Sequence, residues 1–252
     1  MISAKEVRKL YREELANDTP IKMECGIEVH PVKMKDYFKF ANCFGVLDID
    51  KNSSGDAQVI SMSYLEYILN IIESQISGSE VIISTLMSII LLTVADDAEI
   101  EYGIIDEKPC LRINSCVLFK KDFDLYRKIV LVQNLYSYND DYINPELKKE
   151  LEEAKKLQEG NDKIVDIEEQ EVALSIISSM SMEEIRELPI RKFSMFMHMS
   201  EKITNYKILK TASMSGFVEF KQPIKHYLVD DNEEIPDTII DYDAFKNKVE
   251  KT

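Results

Sequence analysis

The chain has 252 residues, 45% of them apolar, enough to bury a substantial core. Its 46 acidic residues outweigh 31 basic ones for a formal net charge of −15, which repels nucleic-acid phosphates and anionic lipid alike and removes both from the expected partners. Four cysteines, Cys25, Cys43, Cys110 and Cys116, are too few and too irregularly spaced for a disulfide scaffold and read as reduced thiols.

Residues 1–18 intersperse charges with apolar side chains at helical spacing and lack the apolar core of a secretory signal, so a cytoplasmic location is expected. Val7, Leu10, Tyr11 and Leu15 predict an amphipathic helix from about Ser3, ended by the "NDTP" of residues 17–20. Alternation through Ile21, Met23 and Cys25, then through Ile27, Val29 and Val32, predicts a short hairpin turning near Gly26, with Pro31 at a strand exit. Helical spacing resumes at Tyr37, Phe40, Ala41 and Phe44; residues 48–58 form a polar loop, and a further helix covers 60–76. The uncharged run from Val81 to Ala95 falls short of the roughly 20 apolar residues of a membrane span. It carries no usable period, and its length favours a buried helix over a strand.

Residues 99–119 have strand character, with "DEKP" at 106–109 as the turn, and 121–136 return to helix. Asn144 is placed to cap a helix whose first position is Pro145. From there to about Glu171, charges of both signs crowd together and Gly160 interrupts them, which reads as a solvated helix or a flexible connector. Ser181 and Glu184 have capping-box spacing, and beyond Pro189 a long helix is expected to run to Gly216, a C-terminal stop of positive φ. Pro223 disfavours helix after that stop, so Phe217 to Leu228 are expected to fold back as an extended segment. An acidic tail follows from Asp230. The expected fold class is α+β, predominantly helical with a small antiparallel β portion. Its expected organisation is an α+β domain over 1–143, a charged connector over 144–171, a helical domain over 172–229 and the acidic tail over 230–252.

No complete catalytic or metal-binding signature is present. Asp48, Asp50 and Asn52 alternate like the start of a calcium loop, but the sixth position is Ser53 instead of glycine and the twelfth is Val59 instead of a bidentate glutamate. Neither Cys25 with His30 nor Cys110 with Cys116 has the two-residue gap of a zinc knuckle. His30, His198 and His226 lie on three different elements without a nucleophile motif, and no glycine-rich phosphate loop occurs. The expectation is therefore no catalytic residue, no metal and no cofactor. Arg186, Arg191, Lys192, Lys202, Lys207 and Lys210, with Lys221 and Lys225, read as a solvated basic face ahead of a binding patch. Met180, Met182, Met195, Met197, Met199 and Met214 crowd one stretch, where core packing and an adaptable partner surface are both open.

Two stretches together carry a family resemblance: "GIEVHPVKMKDYFKF", continuing to "ISMSYLEYI", and "LPIRKFSMFMHMSEKITNYKILKTASMSGFVEFKQPIKHYL". The combination resembles proteins from the tail-module gene clusters of bacteriophages infecting low-GC Gram-positive bacteria. The first stretch is also similar in pattern to baseplate-hub assembly chaperones of contractile-tailed phages. The resemblance implies a non-enzymatic tail or baseplate assembly factor acting in the host bacterial cytoplasm, with a stable structural subunit of the virion tail as the alternative. Its partners would be other phage tail proteins such as tape-measure, hub or baseplate components, with homo-oligomerisation left open. An acidic protein with a methionine-rich helix followed by an aromatic segment suits recognition of an apolar segment on another protein. The expected partner-binding residues are Met195, Met199, Gly216, Phe217, Phe220 and Tyr227.

Overall fold

Helix α1 (Ala4–Leu10) opens on a capping box: Ser3 Oγ accepts from the Glu6 N–H at 3.2 Å, and the Glu6 carboxylate accepts from the Ser3 N–H at 2.7 Å. The helix that the spacing predicts through Leu15 breaks at Tyr11 (φ −108°, ψ 36°) before α2 (Arg12–Asn17) resumes. That break leaves Leu10 62% exposed while Val7 and Leu15 stay buried, so Leu10 is not the core residue its spacing suggests. The computed structural model describes residues 2–49, 51, 56–73, 79–136, 138, 166–215, 220 and 223–229. The charged stretch at 139–165, residues 50 and 52–55 of the calcium-like loop, Gly216, Phe217 and the acidic tail lie outside the described residues.

The predicted hairpin is β1 (Ile21–Lys22) against β2 (Glu28–Val29), antiparallel, with Ile21 opposite Val29. Gly26 takes φ +97° in its turn, a region that side chains with a Cβ rarely enter. A single 3-10 turn (Met34–Asp36) leads into α3 (Tyr37–Cys43), whose buried Phe40 stacks on Phe44 with ring centroids 5.4 Å apart. Helices α4 (Ala57–Ser61), α5 (Tyr64–Glu73) and α6 (Ser79–Thr93) follow. The uncharged run is thus helical, with Leu86, Ile89 and Ile90 buried at helical spacing.

Strands β3 (Ile100–Ile105), β4 (Lys108–Ile113) and β5 (Cys116–Leu118) form an antiparallel sheet in that order. Asp106 and Glu107 alone turn β3 into β4, both with positive φ (50° and 61°), as a two-residue hairpin turn of this twist requires. Pro109 therefore lies inside β4, opposite Ile104, and not in the turn. Because paired residues alternate in hydrogen bonding, its missing N–H points away from β3, at a position that the three-residue β5 does not reach.

Helix α7 (Lys120–Asn134) is the centre of this unit: it packs against α1, α5, β2, β4 and β5, and its last six residues, Ile129 to Asn134, are all buried. A helix buried on every side must satisfy its polar side chains internally. Here they do so mainly by reaching backbone. Asn134 accepts from the Val32 N–H and donates to Val130 O, both at 2.8 Å, while Gln133 donates to Val29 O at 3.2 Å. Arg127 donates to Leu47 O and Lys128 to Ile2 O, and the Tyr126 hydroxyl lies 2.7 Å from Thr93 Oγ1.

Helices α8 (Ile167–Ser178), α9 (Met182–Glu187) and α10 (Ile190–Met214) are the last helices among the described residues. The predicted capping box forms at α9, with Ser181 Oγ accepting from the Glu184 N–H at 3.2 Å. Backbone bonds from Met34 N to Leu188 O (2.8 Å) and from Ile190 N to Val32 O (2.9 Å) tie this region to the segment after β2. Contacts accordingly group residues 1–196 as one compact unit and 197–252 as a second, so the division falls within α10.

The architecture is α+β, mainly helical, with one two-stranded and one three-stranded antiparallel sheet. No helix among the described residues is long and apolar enough to cross a membrane.

Candidate functional site

In the second unit, Lys202, Asn205, Tyr206 and Leu209 recur at spacings of three and four residues and so share one face of α10. Together with Phe220, Pro223, Ile224, Lys225, His226, Tyr227 and Val229 they line an open groove of about 400 Å³. The chain returns to this helix through aromatic contacts. The Tyr206 ring meets His226 at 5.2 Å (61°) and Tyr227 at 5.5 Å (67°), edge to face, and His226 stacks on Tyr227 at 4.2 Å. These are the offset and perpendicular arrangements that ring quadrupoles favour. A turn shapes the far wall: Val229 N–H donates to His226 O at 2.9 Å and Leu228 N–H to His226 Nδ1 at 3.2 Å.

The groove keeps apolar surface in contact with water. Leu209 is 40% exposed, Phe220 38% and Val229 45%. Lysines flank this surface, with Lys202 and Lys225 among the lining residues and Lys210 Nζ 5.9 Å from the Tyr206 ring centroid. A concave apolar floor with basic edges can hold an apolar segment that also carries carboxylates.

Of the residues singled out in the sequence, Phe220 and Tyr227 line this groove. Met195 belongs to the first unit; it and Met199 are half-buried, and neither lines the groove. Gly216 and Phe217 lie outside the described residues. The segment expected to be extended instead contains the turn at His226–Val229. Tyr206, Leu209 and His226 are additions. The helical spacing of Lys202, Tyr206 and Leu209 puts them on one face, but only the return of the chain identifies that face as the lined one.

A second polar cluster has a packing role. The Arg127 guanidinium lies 3.6 Å from the Tyr64 ring centroid and Lys51 Nζ 4.4 Å from it. Burial pushes the Asp124 carboxyl above the usual carboxylate range, with the Arg127 charge pulling it back. Arg127 donates to the Leu47 carbonyl and so fastens Leu47 and Tyr64 to α7, while Lys51 donates to the Met62 carbonyl. The cysteines also pair differently from the sequence-based candidates: Cys116 Sγ lies 2.5 Å from Cys25 O, while Cys110 is buried in β4. No group of three or more His, Cys, Asp or Glu is placed to hold a metal ion among the described residues.

No family model matches the chain, and no curated protein or solved structure matches it.

Proposed function

We propose that the chain is a non-enzymatic assembly factor of a bacteriophage tail or baseplate, which holds an apolar, carboxylate-bearing segment of another tail protein in the C-terminal groove. The observation that carries this reading is the groove itself: Leu209, Phe220 and Val229 present apolar surface to water between lysines, in a chain of net charge −15. Such surface costs free energy while it is uncovered and returns it when a partner excludes water. The tail-module resemblance of the two quoted stretches supplies the partner class: a tape-measure, hub or baseplate component, met in the host cytoplasm. Acting by recognition requires no cofactor and no turnover.

The test is co-purification from phage-infected cells. The wild-type chain should bring down a phage tail protein, and Leu209→Asp should lose it while keeping the wild-type circular dichroism and melting temperature, because Leu209 is already partly in water. Failure of the wild-type chain to retain any tail protein, or retention by Leu209→Asp, would overturn the reading. Quantitative mass spectrometry of purified virions separates an assembly factor, absent or far below stoichiometric amounts, from a stable tail subunit present at full copy number.

A further inference from the structure

The tip of the β1–β2 hairpin and the start of β5 bring together two cysteines that are 91 residues apart in the chain. Cys116 Sγ donates to Cys25 O at 2.5 Å. A carbonyl oxygen lies about 2.4 Å from its own Cα, so Cys116 Sγ is within about 5 Å of the Cys25 Cα, close enough for the Cys25 side chain to meet it. Burial pushes the Cys25 thiol up, the Ile27 N–H pulls it back, and the neighbouring Cys116 thiol adds to the rise. Both residues are only partly buried, which leaves a route for a small reagent. Cys43 and Cys110 are buried. The walls of the pair are held in place, since β2 and β5 both pack on α7. Gln133 of α7 also fixes the hairpin by donating to Val29 O.

We propose that Cys25 and Cys116 form a reversible dithiol–disulfide site, oxidised by low-molecular-weight disulfides of the glutathione class, that staples the N-terminal hairpin to the three-stranded sheet. One thiolate attacks the reagent disulfide, forming a mixed disulfide and releasing one reagent thiolate. The second cysteine thiolate then displaces the remaining reagent thiolate and closes the Cys25–Cys116 bond. Two cysteine thiols are oxidised and one reagent disulfide is reduced to two thiols. The two protons lost from the cysteines end on those thiols. In a reducing cytoplasm the site stays open, and it closes when the surrounding thiol pool is oxidised. Closing a loop of this length constrains the unfolded chain far more than the folded one.

The experiment uses the full-length reduced protein under native conditions, titrated with mixtures of reduced and oxidised glutathione. We expect the intact mass to fall by two hydrogens, peptide mapping to join Cys25 to Cys116, and the melting midpoint to rise by roughly 5 °C or more. Reduction should reverse all three changes. Cys25→Ser and Cys116→Ser should each take up one glutathione at most and show no rise. The same oxidation in denaturant should give a mixture of pairings that includes Cys43 and Cys110. Glutathione adducts without loss of two hydrogens in the native wild-type chain, or a native linkage through Cys43 or Cys110, would overturn the assignment.

Discussion

Single side chains on α7 decide how the first unit is held together. Asn134 is fully buried and satisfies the Val32 N–H just where the chain leaves the β1–β2 hairpin. Asn134→Ala removes that acceptor and leaves a buried backbone donor unpaired, so it should destabilise the protein by about 2 kcal/mol in urea unfolding. A change below about 0.5 kcal/mol would mean that the Val32 N–H finds another partner. At the surface, Glu187 accepts from Lys33 at 2.6 Å and Lys35 at 2.8 Å, and these bonds hold its carboxyl down to about 2. Its folded value lies below the unfolded one, so its contribution is present above the usual carboxylate range and is lost as pH falls toward about 2. Carbon-13 NMR should find Glu187 still ionised at about pH 3, where an ordinary glutamate is protonated. An ordinary titration there would show that the two lysines do not stay on it in solution. The exposure of this trio limits what it adds to stability.

Elements were legible where one physical signal dominated. Alternation marked both β regions and the hairpin turn near Gly26, the capping box marked the start of α9, and the length of the apolar run marked α6 as helix. The centrality of α7 was hidden, because nothing local in the sequence shows that Arg127, Lys128, Gln133 and Asn134 are buried until the backbone groups they reach are in view. The break at Tyr11 was hidden for the opposite reason, since the apolar spacing runs through it without interruption. The β3–β4 turn carries a local conflict between sequence and geometry: Glu107 sits at φ 61°, where a side chain with a Cβ is strained. Glu107→Gly should relieve that strain and raise stability by about 0.5 to 1 kcal/mol in chemical denaturation. A loss of stability would mean that the turn is better served by the glutamate side chain than by the freed backbone.

At the scale of the whole molecule, the first unit is organised around α7, while the second carries an apolar groove along α10. Phe220 and Tyr227 could be picked out in the sequence as partner-binding residues of an aromatic segment. Tyr206 could not, because its ring partners, His226 and Tyr227, come from beyond the end of α10. The methionine cluster pointed to α10, but Met195 and Met199 do not line its groove. Photo-crosslinking reports on the proposed docking of a phage tail-protein segment in this groove. A photoreactive amino acid placed at Phe220 in the full-length chain, activated during infection, should yield one dominant adduct with a phage tail protein. That adduct should disappear when Leu209→Asp is introduced in the same chain. Adducts only with host proteins, or none at all from a folded and abundant protein, would rule that docking out.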